Sequence, residues 1–336
     1  MTLQRRQQGV AMLTALLIVA LAVIVVTSLF VQQRYSIRLS TNLQDLEQTY
    51  PYVHAAEKMA ITWLGYDSAD TQDGGHDSWH DSWSAESEPL EIDDDNGQPI
   101  GELRIKIDDL QAYFNVNNLY DVQNKKPRAS MLKVFQQILQ TQGGLPRSFA
   151  YSVVDWIDPD DELIDPESAE SEYYSSQDKP YRASNSLIVD PVELRILKLG
   201  NITEPEEKKK LLDELMPLII ALPTPSSLNV NTASEEMLAA VGLTSQQVQA
   251  IVQERKNEPI KSKADLTKLV KNLTAEQNVL LNVSSNYYRL TGQVRLRKSR
   301  LFFNSILFRS ADGKISVIMR QFNRVNPPSQ SGPTGT

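Results

Sequence analysis

Hydrophobic and polar positions divide this chain into contrasting stretches. Residues 10–31 form an unbroken run of twenty-two uncharged, mostly apolar positions, preceded by Arg5, Arg6, Gln7, Gln8 and Gly9. As a helix such a run is about 33 Å long, against a hydrocarbon core of about 30 Å. It is too long for the apolar region of a signal peptide, and no small-residue cleavage site closes its far end. The pattern then becomes amphipathic. Ile37, Leu39, Leu43, Leu46, Tyr50, Val53, Ala56, Met59, Ala60 and Trp63 recur largely at three- and four-residue spacing, which predicts one helix from Val10 to about Trp63 with a buried face. Pro51 predicts a kink or a break in it.

Residues 67–96 hold eleven acidic side chains and no Lys or Arg, with Gly74 and Gly75, and read as a solvated loop. His76 and His80 stand four apart within it, a spacing that suits zinc only on a firm helix, which the glycines and serines disfavour. Alternation of Leu103, Ile105 and Ile107 predicts a strand over 100–107. Residues 117–280 are mostly helical in pattern. Aromatic and β-branched residues return at 287–296, 301–308 and 315–322, with Asp312-Gly313 as a hairpin turn. Residues 327–336 form a Pro/Ser/Gly tail that predicts disorder. The simplest arrangement is α+β: strands from both ends pair across an inserted all-α domain.

Two segments repeat. Phe114-Asn115-Val116-Asn117-Asn118-Leu119 is echoed by Leu228-Asn229-Val230-Asn231-Thr232-Ala233. Each leads into a helix near a Met-Leu pair, a glycine break and a second helix, as expected of duplication. The second copy resembles the helix-hairpin-helix module, in which a Gly-x-Gly turn presents backbone N–H groups to a phosphate. Here the turn is Gly242-Leu243-Thr244, without the second glycine, and Glu235, Glu236, Glu254 and Glu258 offset Lys256, Lys261 and Lys263. A membrane-anchored, DNA-binding uptake protein is therefore the alternative reading, with a structural scaffold preferred.

Charge narrows the choice. The net charge is −8, which disfavours broad nucleic-acid binding. With no Cys, only three His and no Gly-x-Ser-x-Gly elbow, a hydrolase has little support and no enzyme is expected. Arg5 and Arg6 place the N-terminus in the cytoplasm and the bulk outside it, a bias weakened by Arg34 and Arg38. Residues 155–172 contain nine carboxylates: Asp155, Asp158, Asp160, Asp161, Glu162, Asp165, Glu167, Glu170 and Glu172. They must be solvated or share a cation such as Ca2+, which accepts six to eight oxygens in irregular geometry. An EF-hand does not fit, because Leu163 and Ala169 fall on its obligatory Gly and Glu. Flanking Trp156, Tyr173, Tyr174 and Tyr181 favour an ordered segment.

Taken together, the leader ending at Gly9, the two Asn-Val-Asn segments, and Val154-Asp155-Trp156-Ile157-Asp158 with Ala169-Glu170 and Tyr173-Tyr174 resemble the type II secretion system minor pseudopilin K (GspK) family. The resemblance covers nearly the whole chain. It implies a leader at 1–9 cut between Gly9 and Val10 by prepilin peptidase, N-methylation of Val10, and a membrane helix at 10–31 in the inner membrane. A pilin-like domain would comprise 32–112 and the C-terminal strands at 284–326: a long helix packed on a small antiparallel sheet. An all-α domain at 113–283, with helix-hairpin-helix (SAM-like) repeats and the acidic segment 155–172, would lie between its strands. Most pilins carry Glu at the position of Thr14. That acid is thought to meet the N-terminal amine of the neighbouring subunit, so a chain with Thr14 suits the filament tip, with none above it. The resemblance further implies a complex with minor pseudopilins I and J (with H), no nucleic acid, and Ca2+ on the helical domain. Asp160, Asp161, Glu162, Glu170 and Glu172 are the expected ligands, and Asp158 and Asp165 the alternatives.

Overall fold

The computed structural model describes residues 3–70, 75–85, 87–141, 144–297 and 299–323. The tail at 327–336, Gly74 and Gly143 therefore lie outside the described residues. The long helix is two: α1 (Leu3–Glu47) and α2 (Tyr50–Asp70). The break falls at Gln48-Thr49, just before Pro51, whose missing N–H is harmless in a first helical turn. Residues 11–41 of α1 are wholly exposed and include a stretch long and apolar enough to cross a membrane.

α2 lies on a five-stranded antiparallel sheet of order β1-β2-β9-β10-β11, formed by β1 (Leu90–Asp93), β2 (Pro99–Asp109), β9 (Tyr287–Leu296), β10 (Ser299–Arg309) and β11 (Ile315–Asn323). β2 pairs directly with β9, from Gly101↔Leu296 to Asp109↔Tyr288, so the chain between them leaves and re-enters at one end of the sheet. Val53, Ala56, Ala60 and Leu64, spaced three or four apart on α2, are fully buried against Ile105, Leu290, Val294, Phe303 and Leu307. Gly292 lets the Phe303 ring lie on the strand; a Cβ there would run into that ring. Gly313 takes φ +79° in the β10–β11 hairpin, as Asp312-Gly313 predicts.

A β-bulge decides how β11 meets α2. Leu307 pairs with Val317 but Ile306 with Met319, leaving Ile318 as the extra residue. Val317 and Arg320 consequently both reach the helix side. Arg320 donates to both oxygens of buried Glu57 (Nε 2.7 Å, Nη2 2.6 Å), and Ser305 adds a third bond at 2.6 Å. Burial would raise the Glu57 pKa, but Arg320 and Ser305 outweigh it and hold the carboxyl below its ordinary value.

Between β2 and β9 stand short ladders and helices: β3 (Phe114–Asn115), β4 (Tyr120–Asp121), β5 (Lys126–Pro127), α3 (Ala129–Thr141), α4 (Phe149–Ile157), α5 (Ser171–Ser175), α6 (Pro205–Leu215), β6 (Ile219–Ile220), β7 (Leu228–Asn229), α7 (Glu235–Ala240), α8 (Ser245–Asn257), α9 (Lys263–Leu269), α10 (Ala275–Leu280) and β8 (Leu281–Asn282). The lobe is thus not purely helical. The sequence repeat is also a structural one. β3 pairs parallel with β6, and β7 parallel with β8. In the first copy Asn117 Nδ2 donates to Ile188 O and Leu222 O while its Oδ1 accepts from Ile188 N. In the second, Asn231 Nδ2 donates to Ile260 O and Val283 O, and its Oδ1 accepts from Ile260 N. Each buried amide satisfies backbone groups of two separate segments, which explains an Asn at both positions.

The expected solvated loop is corrected in its middle. Asp77 and Trp83 are completely buried, and Trp83 packs edge-on against Tyr288 with ring centroids 5.4 Å apart. Of the two spaced histidines, His80 has its Nε2 engaged with Arg255 O at 2.7 Å.

Candidate functional site

α4 ends in Val154-Asp155-Trp156-Ile157, all buried, and Asp158 caps it. The acidic segment then folds back: Asp155 accepts from Ser168 Oγ and from Ile164 N (3.4 Å), and Ser168 N donates to Asp165 O. Glu170 sits at the start of α5. The aromatics hold this return in place. Trp156 meets the Tyr174 and Tyr181 rings at 5.3 and 6.3 Å, and its indole N–H reaches Glu193. Order, rather than a free acidic tail, follows from that packing.

Asp155, Asp158 and Glu170 are thereby enclosed together, at 0, 4 and 4 % exposure. Asp158 Oδ1 and both Glu170 oxygens are buried without a hydrogen-bond partner among the described residues. Burial is the main force raising all three pKa values, and mutual repulsion adds to it. Asp155 is pushed up to about 6, Asp158 to about 7 with Asp155 and Asp160 contributing, and Glu170 to about 8 through Asp155, Asp158 and Asp161. Of the sequence-predicted ligands, Glu170 belongs to this buried group, Asp160 and Asp161 are exposed but close enough to act on it, and Glu162 and Glu172 are exposed. The alternative Asp158 is buried, and Asp165 is half-buried. Asp155 was missed as a ligand candidate. Its signal was an acid inside the apolar run Val153-Val154-Asp155-Trp156-Ile157. Among the described residues no three acidic, His or Cys side chains already converge as a metal cage. The donor set nevertheless fits a hard cation: all its donors are carboxylate oxygens, and three of them, Asp158 Oδ1 and both Glu170 oxygens, lack a hydrogen-bond partner among the described residues.

The hairpin of the second repeat is chemically closed. Gly242 N donates to Ala239 O, Leu243 N to Leu238 O, and Thr244 N to the Gln247 side chain at 2.8 Å. These are the amides a phosphate would need, and Leu243 is itself buried. The DNA-binding alternative finds no support in this geometry. At the other end of the chain, Gly9 and Val10 lie within α1, and Thr14 is exposed with its hydroxyl returned to Ala11 O at 3.0 Å.

The two repeats coincide with matches to known proteins. Residues 112–224 and 228–284 each match a family model described as type II secretion system protein K. The chain is 33% identical to the type II secretion system protein K of Pseudomonas aeruginosa over 98% of its own length and 97% of that protein. It is 28% identical to that of Pectobacterium carotovorum and 25% to that of Aeromonas hydrophila, each over at least 95% of both chains. A chain from the crystal structure of the GspK-GspI-GspJ complex of enterotoxigenic Escherichia coli superposes with a TM-score of 0.65 at 20% identity, covering 85% of this chain and 99% of that one.

Proposed function

The chain belongs to the type II secretion system protein K family, and on that premise we propose how a minor pseudopilin with this geometry is used. It occupies the tip of the pseudopilus, where it starts or caps the fibre. The observation that carries this reading is the bulk of the lobe inserted between β2 and β9 at one end of the sheet, which would obstruct neighbours inside a narrow fibre. Thr14 agrees with it, since it offers no carboxylate to the terminal amine of a subunit above. Prepilin peptidase would cleave between Gly9 and Val10, with methylation of Val10, leaving α1 anchored in the inner membrane and both lobes in the periplasm. The two Asn-Val-Asn units are read as a duplicated helix-hairpin-helix-like scaffold whose phosphate-binding role has been lost.

The partners proposed are minor pseudopilins I and J, because the structurally similar chain comes from a complex with proteins so named. Co-expression of the full chain with both tests this: a ternary complex is expected, and repeated failure to co-purify would remove the tip assignment. Calcium is proposed on the acidic segment. Asp155, Asp158 and Glu170 would form its buried side, with Asp160 and Asp161, exposed carboxylates that act on Asp158 and Glu170, completing it. Bound there, the ion would supply the positive charge the buried trio lacks and tie the return between α4 and α5.

A further inference from the structure

The two lobes are joined covalently at only two places, the β2 exit after Asp109 and the re-entry before Tyr287. Adjacent crossings of this kind act as a hinge unless something else grips the sheet. Side chains alternate across a strand, so neighbouring Tyr287 and Tyr288 point to opposite faces. On one face Tyr287 and Phe308 pack with Ile220 and Leu222 of the helical lobe. On the other face the segment 75–84, which links α2 to β1 of the sheet lobe, reaches across to the helical lobe.

Its centre is Asp77. The carboxylate accepts from Arg309 Nη2 of β10 (2.5 Å), from Tyr288 OH of β9 (2.6 Å) and from Ser285 N (2.7 Å). Its backbone binds the helical lobe, with N–H donated to Val283 O at 2.9 Å and the carbonyl accepting from Asn229 Nδ2 at 3.0 Å. Further along, Trp79 Nε1 donates to Thr232 O (3.2 Å) and His80 engages Arg255 O, while Trp83 is sunk in the sheet core. Asp109 extends the same buried network, accepting from Asn229, Thr232 and Ser285. Asn229 thus differs from its counterpart Asn115, whose Nδ2 reaches Thr224 O within its own lobe.

We propose that residues 75–84 are a clamp fixing the helical lobe in a single orientation on the sheet, with Asp77 as the positioning residue. In a pseudopilus subunit this sets the direction in which the large lobe projects from the fibre. The inference is independent of the calcium site, which lies within the helical lobe.

The chain has no Cys, so spin labels can be placed at will. Full-length protein in detergent, carrying Ser316→Cys and Gln249→Cys, reports the interlobe distance; Glu91→Cys with Ser316→Cys, and Lys209→Cys with Gln249→Cys, report within each lobe. Asp77→Asn should broaden or shift the interlobe distance and leave both internal distances unchanged. Glu57→Gln breaks a comparable buried pair inside the sheet lobe alone; it should lower Tm without altering the interlobe distance. An interlobe distance in Asp77→Asn as narrow as wild type, or equal broadening within a lobe or in Glu57→Gln, overturns the proposal. If Asp77→Asn does not fold, Trp79→Phe with His80→Ala deletes two clamp contacts and leaves the buried network intact. A smaller broadening of the interlobe distance alone is then expected, and an unchanged distance again overturns it.

Discussion

Removing divalent cations should make this protein more stable in mild acid than at neutrality. Glu170 has its pKa raised from 4.5 to about 8, so between those values the folded state holds a proton that the unfolded state has released. Stability linked to that proton therefore rises as pH falls and is lost as pH rises toward 8. From pH 7 to 5.5 one such proton contributes about 2 kcal/mol, at about 1.4 kcal/mol per pH unit. Asp158 and Asp155, raised to about 7 and 6, act in the same direction. The three repel one another and take up protons as a coupled group, so one proton is the minimum gain. The lowered carboxyl of Glu57 opposes the trend only in more acid solution. For a lobe of this size about 2 kcal/mol corresponds to roughly 4–8 °C in Tm. The assay is intrinsic tryptophan fluorescence during heating of the full chain in detergent, with chelator or with millimolar Ca2+. With chelator, Tm should rise from pH 7 to 5.5. With Ca2+ it should be higher at neutrality, and the two curves should converge in acid, where protons displace the ion. Glu170→Gln should abolish the calcium response and remove the one-proton share of the pH slope, leaving what Asp158, Asp155 and the buried Asp109 contribute. A chelated Tm that is flat or falls over this window, or a slope unchanged in Glu170→Gln, would refute the reasoning.

Gly9→Leu should leave the precursor unprocessed, seen as a larger band on immunoblots; normal processing would remove the leader assignment. Asn117→Ala, which abandons backbone groups of Ile188 and Leu222 in the core, should cost about 2–4 kcal/mol by denaturant titration. Gly292→Ala drives a methyl group into the Phe303 ring and should cost about 1–3 kcal/mol by the same measurement, with an unchanged denaturation midpoint counting against the packing described.

Local chemistry made several features readable in advance. The uncharged run at 10–31, the alternation in 100–107 and the aromatic strands near the C-terminus each carry their own periodicity, and α1, β2, β9, β10 and β11 follow it. The Asn-Val-Asn repeat was visible as a string before its two amide bridges were seen. The acidic segment at 155–172 was visible as a charge cluster, but composition could not rank its members. Depth ranks them, and depth depends on which side of α4 faces the aromatic packing. Asp77 shows the limit most clearly. Among eleven acids in a Gly- and Ser-bearing stretch it looked solvated, yet it is buried because Arg309 and Tyr288, more than two hundred residues away in sequence, converge on it.

The sequence by itself determined the long apolar N-terminal helix, the main strands at both ends of the sheet, the duplication and the family. Those properties rest on short-range pattern: hydrophobic runs, two- and three-to-four-residue periods, and repeated words. Only the tertiary structure decided which carboxylates are buried, which face Arg320 takes after the bulge at Ile318, and how the helical lobe is held on the sheet. These depend on electrostatic and packing contacts between residues far apart in the chain, whose energies exist only once the chain has brought them together.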